Sequence, residues 1–461
     1  MTINKAVLIE PRSPGSHFFS HIRIPLLGLP ILGEILRRMN FRVKVFCENF
    51  APINWQEVAE ADLVGISALT SLAPRAYQIA KEVKRIAENA IIVMGGPHVT
   101  VLPEEALLAG ADFAVRHEGE QTLVELIRFL RGDGNKGLSA IQGLSYRDQE
   151  VIRHNPDRPF LQNLDGIPPA NFSLIEKAEK INMMPIQTSR GCPFNCEFCS
   201  VSEMFGRKVR YRSPENVVRE IKSIKSGKHI FVVDDNFSAN RLRTKALLET
   251  MKSAGINRSW STQERVSVAQ EEEILKLMRE TGCERLYQGI ESFNAEVLKE
   301  WKKGQLPEEI RQAVSILHRH GFSIHGMFVL GGDADTLQTI EQTIVEAMRC
   351  KIDTAQFFTL VPPPGTKLYQ RLEAEGRILT QNWSLYDGQH AVIKPKQMSP
   401  WQLQELAIKA FQDFYSLRRG INWLLRGKFN NGHAAFFGRY ATNKWLKENR
   451  DFLEALKEGG A

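Results

Sequence analysis

The chain has 461 residues, 43% hydrophobic and 25% charged, which is ordinary globular usage and excludes a fibrous or wholly disordered protein. The longest uncharged apolar stretch, Ile24 to Gly33, is too short to cross a bilayer and carries two prolines and two glycines. The opening MTINKAVLIE has no basic region followed by an apolar one, so no secretory signal is read and a cytoplasmic location is expected. The net charge of +7 is concentrated: from Lys396 onward 11 basic residues stand against 6 acidic ones.

Residues 1–135 alternate short apolar runs with helical patterns. Strands are expected at 5–10, 42–46, 62–67, 90–96 and 111–118, with helices near 25–41, 74–87, 103–108 and 120–131. That alternation predicts a doubly wound parallel sheet, whose ligands sit beyond the carboxyl ends of the strands. Residues 136–180 contain a polar hairpin pattern and the proline-rich DGIPPANF, and read as a linker. Residues 181–395 return to strands at 184–189, 229–235, 259–264, 285–291, 323–332 and 355–362, separated by longer helices. Six such units point to a partial (β/α)6 barrel of the TIM type with chemistry at the strand C-termini. Residues 396–461 read as a helical C-terminal cap, with Leu403, Leu406, Ala407, Ala410, Phe411, Phe414 and Leu417 at a 3.6-residue period.

The sharpest local signal is Ser189-Arg-Gly-Cys192-Pro-Phe-Asn-Cys196-Glu-Phe-Cys199, directly after an expected strand. Three thiolates at this spacing can hold three irons of a [4Fe–4S] cluster and leave the fourth open. A structural zinc site is the other reading, but it needs a fourth ligand, and none follows at the usual spacing. Cys47, Cys283 and Cys350 are isolated and read as structural.

The cysteine segment, with Phe198 before its last cysteine, resembles the radical S-adenosylmethionine (SAM) superfamily. The resemblance implies that the open iron binds SAM, whose reductive cleavage gives methionine and a 5′-deoxyadenosyl radical. It also implies further SAM contacts at later strand ends. Asp234 and Asp235, in Asp-Asp-Asn236-Phe237, replace the more usual Gly-Gly-Glu-like turn with an ending familiar in the cobalamin-dependent branch. Glu291 and Ser292 match a position near the ribose, and Ile324 and Gly326 a position near the adenine. An acidic residue at a strand end can equally cap the next helix.

The first domain lacks both the Walker-type and the dinucleotide-binding glycine patterns. It carries Ser67-Ala-Leu69-Thr70 after one strand and Gly95-Gly96-Pro97-His98 after the next, followed by Glu118-Gly119-Glu120-x-Thr122-Leu123. These resemble the cobalamin-binding domain found ahead of many radical SAM enzymes. The D-x-H-x-x-G lower-ligand motif is absent, and His17 and His21 do not supply it, so cobalamin is expected base-off with no His ligand.

Together these resemblances imply an enzyme that methylates an unactivated carbon of a lipid, tetrapyrrole or natural product through methylcobalamin. Cobalamin-assisted cyclisation, rearrangement or oxidation is the close alternative, and a non-catalytic cobalamin sensor is the alternative of another class. The stretches Leu360–Leu379 and Gly331–Thr336 resemble the hopanoid-methylase-like subgroup. A flavodoxin- or ferredoxin-type electron donor and a small-molecule substrate are the expected partners, and no nucleic acid. The C-terminal aromatics Phe411, Phe414, Tyr415 and Trp423, interleaved with Arg418, Arg419, Arg426 and Lys428, suit either peripheral membrane contact or packing across the barrel mouth.

Overall fold

The computed structural model describes residues 3–13, 15, 17, 22–133, 136–225 and 227–459. They form two compact units: Met1–Pro14, Ile22–Cys192 and Ser200–Arg212 make the first, and Gly15–His21, Pro193–Cys199 and Ser213–Ala461 the second.

In the first unit, strands β1 (Lys5–Glu10), β2 (Arg42–Cys47), β3 (Leu63–Ser67), β4 (Ile91–Gly95), β5 (Phe113–Val115), β6 (Leu144–Asp148) and β7 (Val151–His154) form one sheet in the order β2-β1-β3-β4-β5-β6-β7. The first five are parallel, with crossovers through helices such as Ala73–Ile86 and Pro103–Leu108. Ala73, Ala76, Ile79, Ala80 and Val83 line the buried stripe of the first of these helices, and its three alanines let it lie close to the sheet. The hairpin read as part of a linker is instead β6 and β7, an antiparallel extension of this sheet. Its turn residues are polar, but Leu144, Ser145 and Tyr146 are buried against β5 and its neighbours.

The strand β8 (Met183–Ile186) precedes a two-residue ladder, β9 (Ser189–Arg190) with β10 (Arg210–Tyr211). In the second unit β11 (His229–Val232), β12 (Trp260–Glu264), β13 (Cys283–Glu291), β14 (Ser323–Leu330) and β15 (Thr354–Thr359) run parallel in that order. Helices Arg241–Ser253, Glu272–Glu280, Pro307–Arg319 and Leu337–Arg349 return the chain between them. This is the partial barrel that the alternating pattern calls for. The strand expected over 323–332 stops at Leu330, because Gly331 takes φ +104° and turns the chain away.

The C-terminal region is helical throughout: Pro400–Phe414, Leu417–Leu425, Phe429–Glu448 and Arg450–Lys457. Phe328 and Phe357 stack at 5.0 Å, and Phe411 and Phe414 meet Phe357 edge-on. Tyr415 is buried, and its hydroxyl donates to the Ala355 carbonyl at 2.7 Å and accepts from the Ala355 N–H at 2.9 Å. The aromatic side of the cap therefore packs on β15. Among the described residues, no helix is long and apolar enough to cross a membrane.

Replacing Tyr415 by Phe strands both main-chain groups of Ala355 in a dry environment. We expect a loss of about 1–3 kcal/mol in chemical denaturation, with secondary structure retained by circular dichroism.

Candidate cofactor sites

The cysteine loop is built from both of its ends. At its start, Gly191 has φ +94°, and a Cβ there would lie 2.9 Å from the carbonyl oxygens of Gly206 and Lys208. Only glycine fits, which brings the Cys192 N–H toward the Gly206 carbonyl at 3.4 Å. The neighbouring Arg190 is buried and donates to Glu118 Oε1 at 2.9 Å and Glu120 Oε1 at 2.6 Å. Arg210, its partner on β10, donates to the same Glu118 at 2.8 Å. The Leu161 N–H adds a third donor at 2.7 Å. Glu118, expected at a cobalamin site, is thus the anchor of the stem that carries Cys192. Arg210 lies in no motif, and Arg190 and Glu120 appear in theirs without a role; only the burial of this cluster reveals the three together.

In the second unit the Cys199 N–H meets the Cys196 carbonyl at 3.2 Å. The Phe198 ring packs edge-on against Trp301 at 5.4 Å. Glu197 accepts a hydrogen bond at its carbonyl from the Leu368 N–H, at the start of helix Lys367–Ala374, and its carboxylate faces Lys302 and Arg371. Arg265 stacks on Phe194 at 3.9 Å. Cys192, Cys196 and Cys199 are all partly exposed, and none is in a disulfide. Three partly exposed thiols on one short loop suit a cluster that takes one thiolate per iron. Among the described residues, no three His, Cys, Asp or Glu side chains gather as ligands of a single ion.

Past the end of β11, Asp234 is buried and Asp235 is partly buried. Burial, reinforced by the charge of Asp234, pushes the Asp235 carboxyl up to about 7. Glu264 closes β12 wholly buried, accepting from the Ser238 hydroxyl at 2.6 Å, and burial raises it to about 8. Three carboxyls thus gather at neighbouring strand ends with too little water to ionise all of them, an arrangement that favours a cationic ligand. The sequence names Asp234 and Asp235 but not Glu264.

Glu291 ends β13 at φ +63°, a conformation unfavourable for a side chain of its size. Its carboxylate is paired with the buried Lys303 at 2.8 Å. Gln305 secures the bulge by donating to the Gly289 and Ile290 carbonyls. Such strain is held only where the surroundings impose it, and it concentrates at functional positions. Ser292 instead turns inward, accepting from the Asn294 N–H at 3.0 Å. Ile324 and Gly326 share the period-2 face of Phe328, which packs on the helix layer. A Cβ on Gly326 would lie 2.8 Å from Phe328. The opposite strand face carries Phe231, Tyr287, His325 and Gln356, with Tyr287 and His325 rings 4.8 Å apart. The Gly331–Asp335 stretch folds on itself: Asp335 accepts from the Gly331 and Gly332 N–H groups, while Asp333 holds Arg371, Arg377 and Lys396.

In the first unit the ends of β3 and β4 lie side by side. The Ala68 N–H donates to the Gly95 carbonyl at 2.9 Å, and the His98 N–H to the Ala68 carbonyl at 3.2 Å. Gly96 has φ +104°, and a Cβ there would lie 2.8 Å from the Ala68 carbonyl oxygen. Ser67, Leu69, Thr70, Gly95, Gly96 and Pro97 keep partial exposure above strands that are otherwise buried. They form a shelf of small groups able to admit a bulky ligand. His98 does not join it, because its side chain is buried against Tyr77 and Glu105. Gly119 opens helix Gly119–Arg131 close to Val115. His17 groups with the second unit, its ring on Phe358 and its Nε2 at 3.4 Å from the Asp387 carbonyl; His21 lies outside the described residues.

A doubly wound sheet with an open shelf and a parallel partial barrel with a three-cysteine loop define a class that handles two large cofactors. Residues 23–127 match the B12 binding domain and residues 186–347 the radical SAM superfamily. An uncharacterized methyltransferase of Pyrococcus horikoshii is 36% identical over 406 residues, covering 85% of this chain and 88% of its own. The bacteriochlorophyllide d C-12(1)-methyltransferase of Chlorobaculum tepidum is 28% identical over 419 residues, covering 89% and 87%. Among solved structures, the radical SAM methyltransferase TsrM of Kitasatospora setae, with cobalamin and a [4Fe–4S] cluster bound, superposes with a TM-score of 0.68 at 18% identity, covering 81% of this chain and 75% of that one. The chain belongs to the B12-dependent family of radical SAM enzymes.

Glu118→Gln keeps the shape of the anchor and removes its charge, leaving Arg210 buried without a carboxylate and Arg190 with Glu120 alone. We expect a loss of about 3 kcal/mol or more in stability and a lower iron content after anaerobic reconstitution. Glu120→Gln, at the more exposed end of the network, should be milder in both.

Proposed function

We propose that this enzyme transfers a methyl group from SAM, by way of cobalamin, to an unactivated carbon of a bulky small molecule. The observation that carries the reading is the intact loop of three partly exposed cysteines, none in a disulfide, in a chain that also holds a B12-binding domain. Bound to the protein, a [4Fe–4S] cluster supplies the electron that cleaves SAM, and cobalamin supplies the carrier of the methyl group. Cys192, Cys196 and Cys199 hold the cluster. Asp235, with Asp234 behind it, takes the SAM ammonium, and Glu291 reaches toward the ribose. The shelf of Ser67, Leu69, Thr70, Gly95, Gly96 and Pro97 would hold cobalamin in its base-off form, with the His98 side chain turned into the core against Tyr77 and Glu105.

The substrate class is a tetrapyrrole or a similarly large, flat, largely apolar molecule. The mixed aromatic and polar strand face of Phe231, Tyr287, His325 and Gln356 suits such a ligand, and the Chlorobaculum relative is named for a bacteriochlorophyllide. A flavodoxin- or ferredoxin-type protein delivers the electron.

Anaerobic reconstitution with iron, sulfide and cobalamin, followed by reduction and SAM carrying a deuterated methyl group, tests the reading by mass spectrometry. Labelled methylcobalamin together with deoxyadenosine is expected. Deoxyadenosine without labelled methylcobalamin would overturn methyl transfer in favour of cyclising, rearranging or oxidising chemistry. Cys196→Ala should abolish deoxyadenosine, and full turnover in that variant would remove the cluster assignment.

The raised Asp235 carboxyl gives the reaction an acid limb. Above about pH 7 it is ionised and attracts the SAM ammonium; below, it gains a proton and loses that attraction. SAM cleavage at subsaturating SAM should therefore fall as pH drops through about 7. Asp235→Asn should be weaker throughout and lack that limb.

A further inference from the structure

From Tyr415 to Lys447 the chain carries Arg418, Arg419, Arg426, Lys428, Arg439, Lys444 and Lys447 and not one Asp or Glu. Helix Leu417–Leu425 buries Gly420 and Trp423 on its inner side. Its outer side sets Leu417, Ile421 and Leu425 four residues apart, a single row along the helix, and all three are exposed, Leu425 at 82%. Arg418, Asn422 and Arg426 form the adjoining exposed row. Past the turn Phe429 is 63% exposed, four residues after Leu425, and Tyr440 on the next helix is exposed as well. Gly432 fits beneath Leu424, and Gly420 meets Ala435. The helices thus join through their glycines, with Leu424 and Phe436 packed over them, and leave Leu417, Ile421, Leu425 and Phe429 outside.

A cleft of about 1030 Å³ adjoins this segment, lined by Arg319, Arg349, Lys351, Arg426 and Lys428 among others. Glu346 pairs there with Arg311 and Arg349, and Asp353 with Lys428 and His318. Among the described residues, no ion pair engages Arg319, Lys351, Arg418 or Arg426. Uncompensated cations therefore border an aliphatic row.

We propose that helices Leu417–Leu425 and Phe429–Glu448 dock on an anionic lipid surface. Leu417, Ile421, Leu425 and Phe429 enter the boundary between headgroups and acyl chains, while Arg418, Arg426 and the cleft cations meet the phosphates. An exposed aliphatic row beside basic side chains suits this boundary, where buried apolar area and anionic attraction add. A single-stranded nucleic acid would use the cations but stack its bases on aromatic rings, leaving Leu417, Ile421 and Leu425 without a role. A second copy of the same face would set basic rows against each other. Docking is independent of the methyl-transfer reading, because it needs no turnover.

Flotation of the full-length, cofactor-loaded protein with vesicles of phosphatidylcholine, with and without phosphatidylglycerol, tests the proposal. The wild type should float with the mixed vesicles and not with phosphatidylcholine alone. Leu425→Asp with Phe429→Asp should abolish flotation, and Arg418→Glu with Arg426→Glu should weaken it about tenfold or more. All four side chains are exposed, so unchanged thermal midpoints are expected to accompany these losses. Failure of the wild type to float with anionic vesicles would overturn the proposal, as would flotation of the Leu425→Asp/Phe429→Asp variant. A mobility shift of RNA without flotation would assign the face to nucleic acid instead.

Discussion

One buried carboxylate holds the cysteine stem in shape. Glu118 lies at the start of helix Gly119–Arg131, within the B12-binding match, while Arg190 and Arg210 lie within the radical SAM match. Taking a carboxylate and two guanidiniums out of water costs more than a single contact returns, so such a group persists only when its hydrogen-bonding positions are filled. Here the Leu161 N–H and both arginines fill those of Glu118, and Glu120 takes a second N–H of Arg190. The result is a fixed geometry for the strand pair that leads into Cys192. Hydrophobic packing alone would tolerate small shifts of that stem; a directional network of buried charges does not.

The second constraint is the crowding of carboxyls past β11 and β12. Asp234, Asp235 and Glu264 share a poorly hydrated corner, and burial raises both Asp235 and Glu264. Nearby, Glu291 holds a left-handed backbone because Lys303 and Gln305 grip it from the following loop. Preorganised charge and held strain meet at the carboxyl ends of the strands, where barrel folds carry their chemistry.

Most of this architecture was legible in the sequence, because buried parallel strands read as continuous apolar runs and the helices between them keep a clean 3.6-residue stripe. The β6–β7 hairpin was not, since an edge pair with a polar outer face has the composition of a linker. At the site, the cysteine spacing and the strand-end acids were visible because they lie close together in the chain. The Glu118 anchor was visible only as a motif residue of another role, because its arginine partners come from more than 70 residues away. Ile324 and Gly326 show the limit of matching a pattern without its pleat: alternation turns both toward the helix layer, and His325 between them faces the other way. His98 is similar, since a histidine after a glycine-rich turn looks available until Tyr77 and Glu105 close around it.

The bond between Tyr415 and Ala355 has a meaning beyond the cap it fastens. β15 is the last strand of its sheet, and an outermost strand offers unpaired main-chain groups to any other strand that approaches. The Tyr415 hydroxyl occupies both groups of Ala355, and the Gly388 carbonyl takes the Thr359 N–H at 2.9 Å. One side chain and one loop thereby keep the sheet from growing. A variant cut short before Tyr415 would lose the first of these guards, and its fate would be self-association through β15 as well as a weakened fold.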